Sequence, residues 1–197
     1  MCKNFSVDSS SSTASLQIKN YLLSELKPII AENRPIVFVC IGTDRSTGDS
    51  LGPLIGYKLK LLNKSNIHIY GTLEAPVHAK NICKLALDIE SNFENPYVIA
   101  IDSCLGSLNN IGKIFIKDSP LLPGLALNKD LPAIGNMSIT GIVNISGQFE
   151  FLILQNTRLY TVMMLADVIS RAIYHFYLSY SNYNKLKNSS TKDSNII

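Results

Sequence analysis

What this chain lacks removes several classes of function before any motif is considered. No apolar run approaches the ~20 residues needed to span a bilayer, so no membrane role is expected. The net charge is only +3, the pI is near 8.6, and no Lys/Arg block stands ahead of the C-terminal tail. Aromatic residues are not interleaved with basic ones either, and together these features argue against a nucleic-acid partner. The four cysteines, Cys2, Cys40, Cys83 and Cys104, contain no CxxC pair and no regular spacing, which excludes the usual zinc and dithiol frameworks. They suit a reducing, cytoplasmic compartment. No Lys-Ser/Thr follows Gly48 and GxGxxG is absent, so the glycine-bearing loop at Gly42–Gly48 is not a P-loop or dinucleotide fingerprint and no nucleotide is expected. The Ser-rich stretch Ser9–Ser12 has no apolar h-region, so no signal peptide is expected. There is no internal repeat and no linker.

What is present reads as one globular unit. Apolar residues make up 46% of the 197, charged residues 17%, and the mean hydropathy is +0.16, enough for a full core. Residues 1–14 read as a disordered polar leader, 15–180 as a single α/β domain and 181–197 as a flexible tail. Leu16–Ala31 has helical spacing, with Leu16, Leu23, Leu26 and Ile30 near one face. Ile36–Ile41 and Tyr97–Ile101 are short apolar runs that read as buried strands, and Ile67–Gly71 reads as a strand between them in sequence. Asp49–Leu62 reads as a helix burying Leu51, Leu54, Ile55, Leu59 and Leu62. On it, Gly52 and Gly56 lie one turn apart, which points to close backbone approach. Pro76 suits a helix first turn, predicting a helix over Val77–Ser91. Gly112–Lys117 alternates like an outer strand, Asp118–Asn136 reads as a long Pro-bearing excursion, Met137–Ile145 as a further strand, and Thr157–Leu178 as a closing helix.

This order predicts a three-layer αβα sandwich with a mostly parallel sheet. Right-handed crossovers put the first of these strands between the second and third. The loops after the first and third strands then face each other at a switch point, where open α/β sheets bind ligands. Asp44 and Asp49 lie in one of those loops and Asp102 ends the other strand. Glu74 and His78 follow the neighbouring strand.

Each residue also has a structural alternative. Asp49 could cap a helix, Asp44 could hold a turn, Asp102 could cap the segment after its strand, and His78 could be a surface or capping residue. Three aspartates at the ends of two adjacent strands nonetheless suit chemistry better than coincidence. Facing carboxylates cannot both ionise cheaply, so one becomes an acid and the other a base. Acidic loops could instead hold a divalent metal. His78, at a helix start, would favour its neutral form and could accept a proton. Cys104 could be a nucleophile with His78 as base, although a buried, inert thiol is the commoner case.

Several stretches are similar to known families. Thr47-Gly-Asp-Ser-Leu-Gly-Pro53 resembles the Thr-Pro-Asp-Ala-Leu-Gly-Pro motif of the germination proteases that degrade small acid-soluble spore proteins, and Val98-Ile-Ala-Ile-Asp102 resembles their second aspartate strand. The two loops also look like those of the hydrogenase maturation proteases. From about Ile36 to Leu178 the chain resembles the YyaC-type family of sporulation proteins, through Ile41–Pro53, Leu73–His78, Ser138–Asn144 and Leu154–Arg158. The resemblance implies a hydrogenase-maturation-protease-like, phosphorylase/hydrolase-like fold. It implies that Asp49 and Asp102 match a catalytic acidic pair in the first family and two metal-binding positions in the second. The third ligand there is a later histidine, and none stands between His78 and His175.

The expectation is therefore a sporulation-associated endopeptidase-like hydrolase, cytoplasmic in the sporulating cell or forespore. Asp49 and Asp102 are its acid/base pair, with Asp44, His78 and Glu74 in support. The substrate would be a protein or peptide, a divalent metal at Asp49/Asp102 stays open, and so does homo-oligomerisation. The alternative is a non-catalytic sporulation protein that binds a peptide or protein partner in the same cleft.

Overall fold

Five consecutive buried residues, Ile36–Cys40, form the strand (β2) from which the rest of the sheet is organised. A strand buried on both faces must be covered by helices on both sides, and it is. The computed structural model describes residues 4–62, 66–123 and 132–193. In it, β2 pairs in parallel with β3 (Ile67–Tyr70) on one side and β4 (Tyr97–Gly106) on the other. β6 (Met137–Ile145) continues the parallel set beside β4. β5 (Lys113–Lys117) runs antiparallel to β6, and β1 (Asn4–Asp8) runs antiparallel to β5. The order across the sheet is β1-β5-β6-β4-β2-β3, so the strand expected first does lie between the two expected next. The α/β fold with a largely parallel central sheet is as anticipated.

Alternation along the strands assigns the two faces. Phe38, Cys40, Ile99, Ile101, Ile114, Ile116 and Ile139 point into one core with helices α1 (Ala14–Glu25), α3 (Leu51–Leu59) and α6 (Leu159–Asp193). Val37, Val39 and Ala100 point the other way, onto Ile82 and Ile89 of α4 (Ile82–Asn92). Each fully buried Leu or Ile side chain contributes on the order of 1.5–3 kcal/mol. Gly52 and Gly56 bring α3 onto the sheet backbone: an added Cβ would lie 2.0 Å from the Ile41 carbonyl oxygen and 2.0 Å from that of Gly71, respectively. Among the described residues, no helix is long and apolar enough to cross a membrane.

Several local expectations are corrected. The leader is ordered from Asn4: β1 covers β5, so Lys113–Lys117 is not the outermost strand. Phe5 stacks on Tyr21 at 4.7 Å between ring centroids, and the Ser9 hydroxyl and amide both donate to the Gly112 carbonyl. The helix expected over Leu16–Ala31 breaks at Leu26. Pro28 starts a separate short helix, α2 (Lys27–Ala31), because proline is tolerated only in a first turn. The buried face of α1 is Ala14, Ile18 and Leu22, while Leu16 is exposed. Leu54 is only partly buried. The tail does not begin at 181, since α6 runs on to Asp193. Of the excursion over Asp118–Asn136, residues 124–131 lie outside those described. Leu121 and Ile134 at its ends pair as an antiparallel bridge.

Candidate active site

The first carboxylate loop is built by glycines. After β2, the Ile41 amide still donates to Ile101 and the Gly42 amide to the Val77 carbonyl, each at 2.7 Å. Gly42 then turns with φ of 143°, and a Cβ there would lie 2.0 Å from the Asp49 carbonyl oxygen. That same oxygen accepts from the Thr43 amide at 3.1 Å. The loop therefore folds back until residue 49 lies over residue 42. A 3-10 turn, Gly48–Ser50, leads directly into α3. Gly48 presses on Leu154 of α5 (Glu150–Gln155), with an added Cβ 2.7 Å from its Cδ2. Asp49 is half-buried, and its carbonyl oxygen is held by the Thr43 amide.

Asp102 occupies a step in the sheet. Cys40 pairs with Ile101, so Asp102 is the first residue of β4 beyond its pairing with β2, while Thr140 of β6 still lies opposite it. The sequence placed Asp102 at a strand's end. Instead the strand continues to Gly106, because β6 supplies pairing that β2 no longer does. By alternation Asp102 and Cys104 share the face of Ala100.

Burial is the main cause that drives the Asp102 carboxyl up, to about 8, and the nearby charge of Asp49 adds to it, while the Ser103 amide donating to Oδ1 at 2.8 Å opposes both. Asp49 is also raised by burial, with the Ser46 hydroxyl acting in the opposite sense. Ser46 is 5% exposed, and its Oγ has no hydrogen bond of normal geometry. Its role was not legible in the sequence, where it is one polar residue in a polar loop; only its burial singles it out.

The other expected residues are arranged differently. Asp44 and Arg45 are exposed, and no ion pair among the described residues joins Arg45 to Asp49 or Asp102. Glu74 is on the surface, paired with Lys60 at 2.8 Å. That pairing holds its carboxyl down, so it is a solvated ion rather than a member of the carboxylate pair. His78 is not at a helix start. Val77 bridges to Ile41, α4 begins only at Ile82, and the Asn81 side chain accepts from the His78 amide at 2.8 Å. The helix-terminus argument for His78 therefore fails. The residue nevertheless follows the bridge that carries the Gly42 contact, with Nδ1 buried and without a hydrogen-bond partner. Cys104 is exposed, yet local burial raises its thiol pKa and the charges of Asp102 and Glu150 add to the effect, with Lys117 opposing. A thiol held protonated is a poor nucleophile.

Among the described residues, no group of three His, Cys, Asp or Glu side chains is placed to hold a metal ion. Among the described residues no third His, Cys, Asp or Glu joins the two aspartates, so that donor set does not fit a three-ligand site. A hollow of about 320 Å³ beneath α4, lined by Ile82, Leu85, Val98 and Asn136 among others, lies at the opposite, amino-terminal ends of β4 and β6. It takes no part in the carboxylate arrangement.

Three likenesses to known proteins stand beside this geometry. The fold is similar to the crystal structure of the NiFe hydrogenase maturation protease HycI from Thermococcus kodakarensis KOD1, with a TM-score of 0.52 and 18% identity over 78% of this chain and 98% of that one. In sequence the chain is 49% identical over 167 residues to the Bacillus subtilis (strain 168) "Uncharacterized protein YyaC", covering 85% of this chain and 80% of that protein. The family described as "Protein of unknown function (DUF1256)" matches residues 6–172, and the chain belongs to it.

Proposed function

We propose that this protein is a hydrolase of the endopeptidase type, acting on a protein or peptide in sporulation, with Asp49 and Asp102 as its acid/base pair. The observation that carries the reading is the asymmetry of two carboxyls, Asp49 in the loop after β2 and Asp102 in β4 where its pairing with β2 ends. Burial, with the Asp49 charge adding to it, keeps Asp102 protonated near pH 7, whereas Asp49 is also raised by burial but is opposed by the Ser46 hydroxyl and does not reach as high as Asp102. The Asp49 carboxylate takes a proton from water as the water oxygen adds to the scissile carbonyl carbon. The Asp102 carboxyl donates to the carbonyl oxygen as that oxygen gains charge. When the C–N bond breaks, the amine leaves with the proton held by Asp49 and the carbonyl oxygen returns its proton to Asp102. Both carboxyls regain their starting states. The sporulation setting rests on the sequence resemblance described at the outset.

A second reading, a non-catalytic protein that binds a peptide in the same cleft, is favoured by the apolar side chains beside it. Phe149, Phe151 and Leu152 are all more than half exposed, and Leu154 of the same segment packs on Gly48 next to Asp49. One experiment separates the two. Purified protein is incubated with small acid-soluble spore proteins, with and without a chelator, alongside Asp49→Asn. The hydrolase reading expects discrete cleavage that survives the chelator and is lost in the variant. Absence of cleavage by the wild type at every pH tested, with binding retained, favours the binder.

A further inference from the structure

We propose that the groove between α1 and α6 is a binding site for a small phosphomonoester. The groove encloses about 380 Å³ and is lined by Lys19 of α1 and by Arg171, His175 and Asn182 of α6. That volume falls within the range of roughly 300–1,000 Å³ for small-molecule sites. None of its lining residues is acidic, and the first turn of α1 contains no acidic residue.

Its two permanent cations are left uncompensated. Asp167 stands four residues before Arg171, the spacing at which a helical ion pair forms. It is instead engaged by Lys58 of α3 at 2.8 Å. Lys19 has no acid three or four residues away on its own helix. Among the described residues neither Lys19 nor Arg171 forms an ion pair, whereas Lys58 and Lys60 both do.

The spacing of the cations is set by packing beneath them. The Ser15 hydroxyl donates to the Val168 carbonyl at 3.2 Å, tying α1 to α6 at the groove floor. The guanidinium, ammonium, imidazole and amide groups that line this one open hollow match the acceptor oxygens of a phosphate group, which arginine engages in bidentate fashion. Leu16 and Leu178 also line the groove and are 53% and 40% exposed. They give an apolar flank to an organic group esterified to that phosphate, and free phosphate would leave this flank unused.

The test is an amide chemical-shift titration of the full chain at about 0.15 M salt, where weak surface electrostatics are screened. Glycerol phosphate and inorganic phosphate serve as separate probes. The proposal expects saturable shifts confined to residues 12–19 and 171–182, tighter for the ester. Lys19→Ala and Arg171→Ala should each weaken binding by at least about tenfold, the usual consequence of losing a charged hydrogen bond. Asp49→Asn should bind as the wild type does. Both cations are at solvent-accessible positions, so an unchanged melting temperature will show that the variants fold. Shifts that grow linearly without saturation, or affinity unchanged in both alanine variants, would overturn the site. Inorganic phosphate binding as tightly as the ester would overturn the ester assignment.

Discussion

Asp102→Asn should make this protein more stable, and increasingly so as pH rises. Burial and Asp49 move the Asp102 carboxyl from 3.8 to about 8, so between those values the folded state holds a proton that the unfolded chain has released. For an acid raised in this way, the stabilising contribution is complete below the unfolded value and is lost as pH climbs to the folded one. The loss runs at up to about 1.4 kcal/mol per pH unit. Over that window of roughly four units it is bounded at about 6 kcal/mol. Asp102 keeps some solvent contact, so about 2–4 kcal/mol is the realistic range. Asparagine carries no charge to desolvate and can still accept the Ser103 amide. Urea unfolding of wild type and variant at pH 5, 6, 7 and 8 measures the difference directly, and shared acid-denaturing groups cancel in it. The expected result is a gap that widens from about pH 4 and levels off above about pH 8. A gap independent of pH would refute the burial of a proton-holding carboxyl at this position. A carboxyl that lowers stability near neutral pH, yet is placed so specifically, is what a functional site leads one to expect.

Two further outcomes follow from the same geometry. Gly56→Leu places a Cβ 2.0 Å from the Gly71 carbonyl oxygen and 3.4 Å from the Cys40 Cβ, so α3 must lift from the sheet. The cost should be at least roughly 1–3 kcal/mol, a fall in melting temperature of roughly 3–10 °C for a domain of this size. In the cleavage assay, Asp49→Asn and Asp102→Asn should each remove most activity, and the double variant should be little worse than either, because groups acting as a unit are not additive. Single variants that lose nothing would move attention to Cys104 and His78.

The sheet centre was legible because β2 and the first half of β4 are apolar runs whose burial needs no partner to be recognised. The same runs, with crossover handedness, brought the Asp49 and Asp102 loops to neighbouring strands. β1 was not legible: Asn-Phe-Ser-Val-Asp has two apolar residues in five, and its order comes from pairing with β5, more than a hundred residues away. The start of α4 was misplaced because Pro76 satisfies a helix rule, while Val77 is instead drawn into a bridge with Ile41. β4 was cut short at Asp102 because nothing local announces that β6 will extend its pairing. In the site, Glu74 stood as a supporting carboxylate until the fold brought Lys60 to it. Ser46 looked like loop filler until the fold buried it. Residue types and strand ends can be read from a sequence, but the partners that set a carboxyl's charge come from contacts distant in the chain.

The central claim is that Asp49 and Asp102 titrate as one coupled unit whose shared proton is retained near neutral pH. Carbon-detected NMR titration of the aspartate carboxyls, in wild type and in Asp49→Asn, tests it most directly. The wild-type Asp102 transition is expected to be centred at about 8. It should move to lower pH, while staying above the ordinary carboxylate range, once the Asp49 charge is removed and burial alone remains. An Asp102 that titrates at an ordinary value in the wild type, or one indifferent to Asp49→Asn, would contradict it.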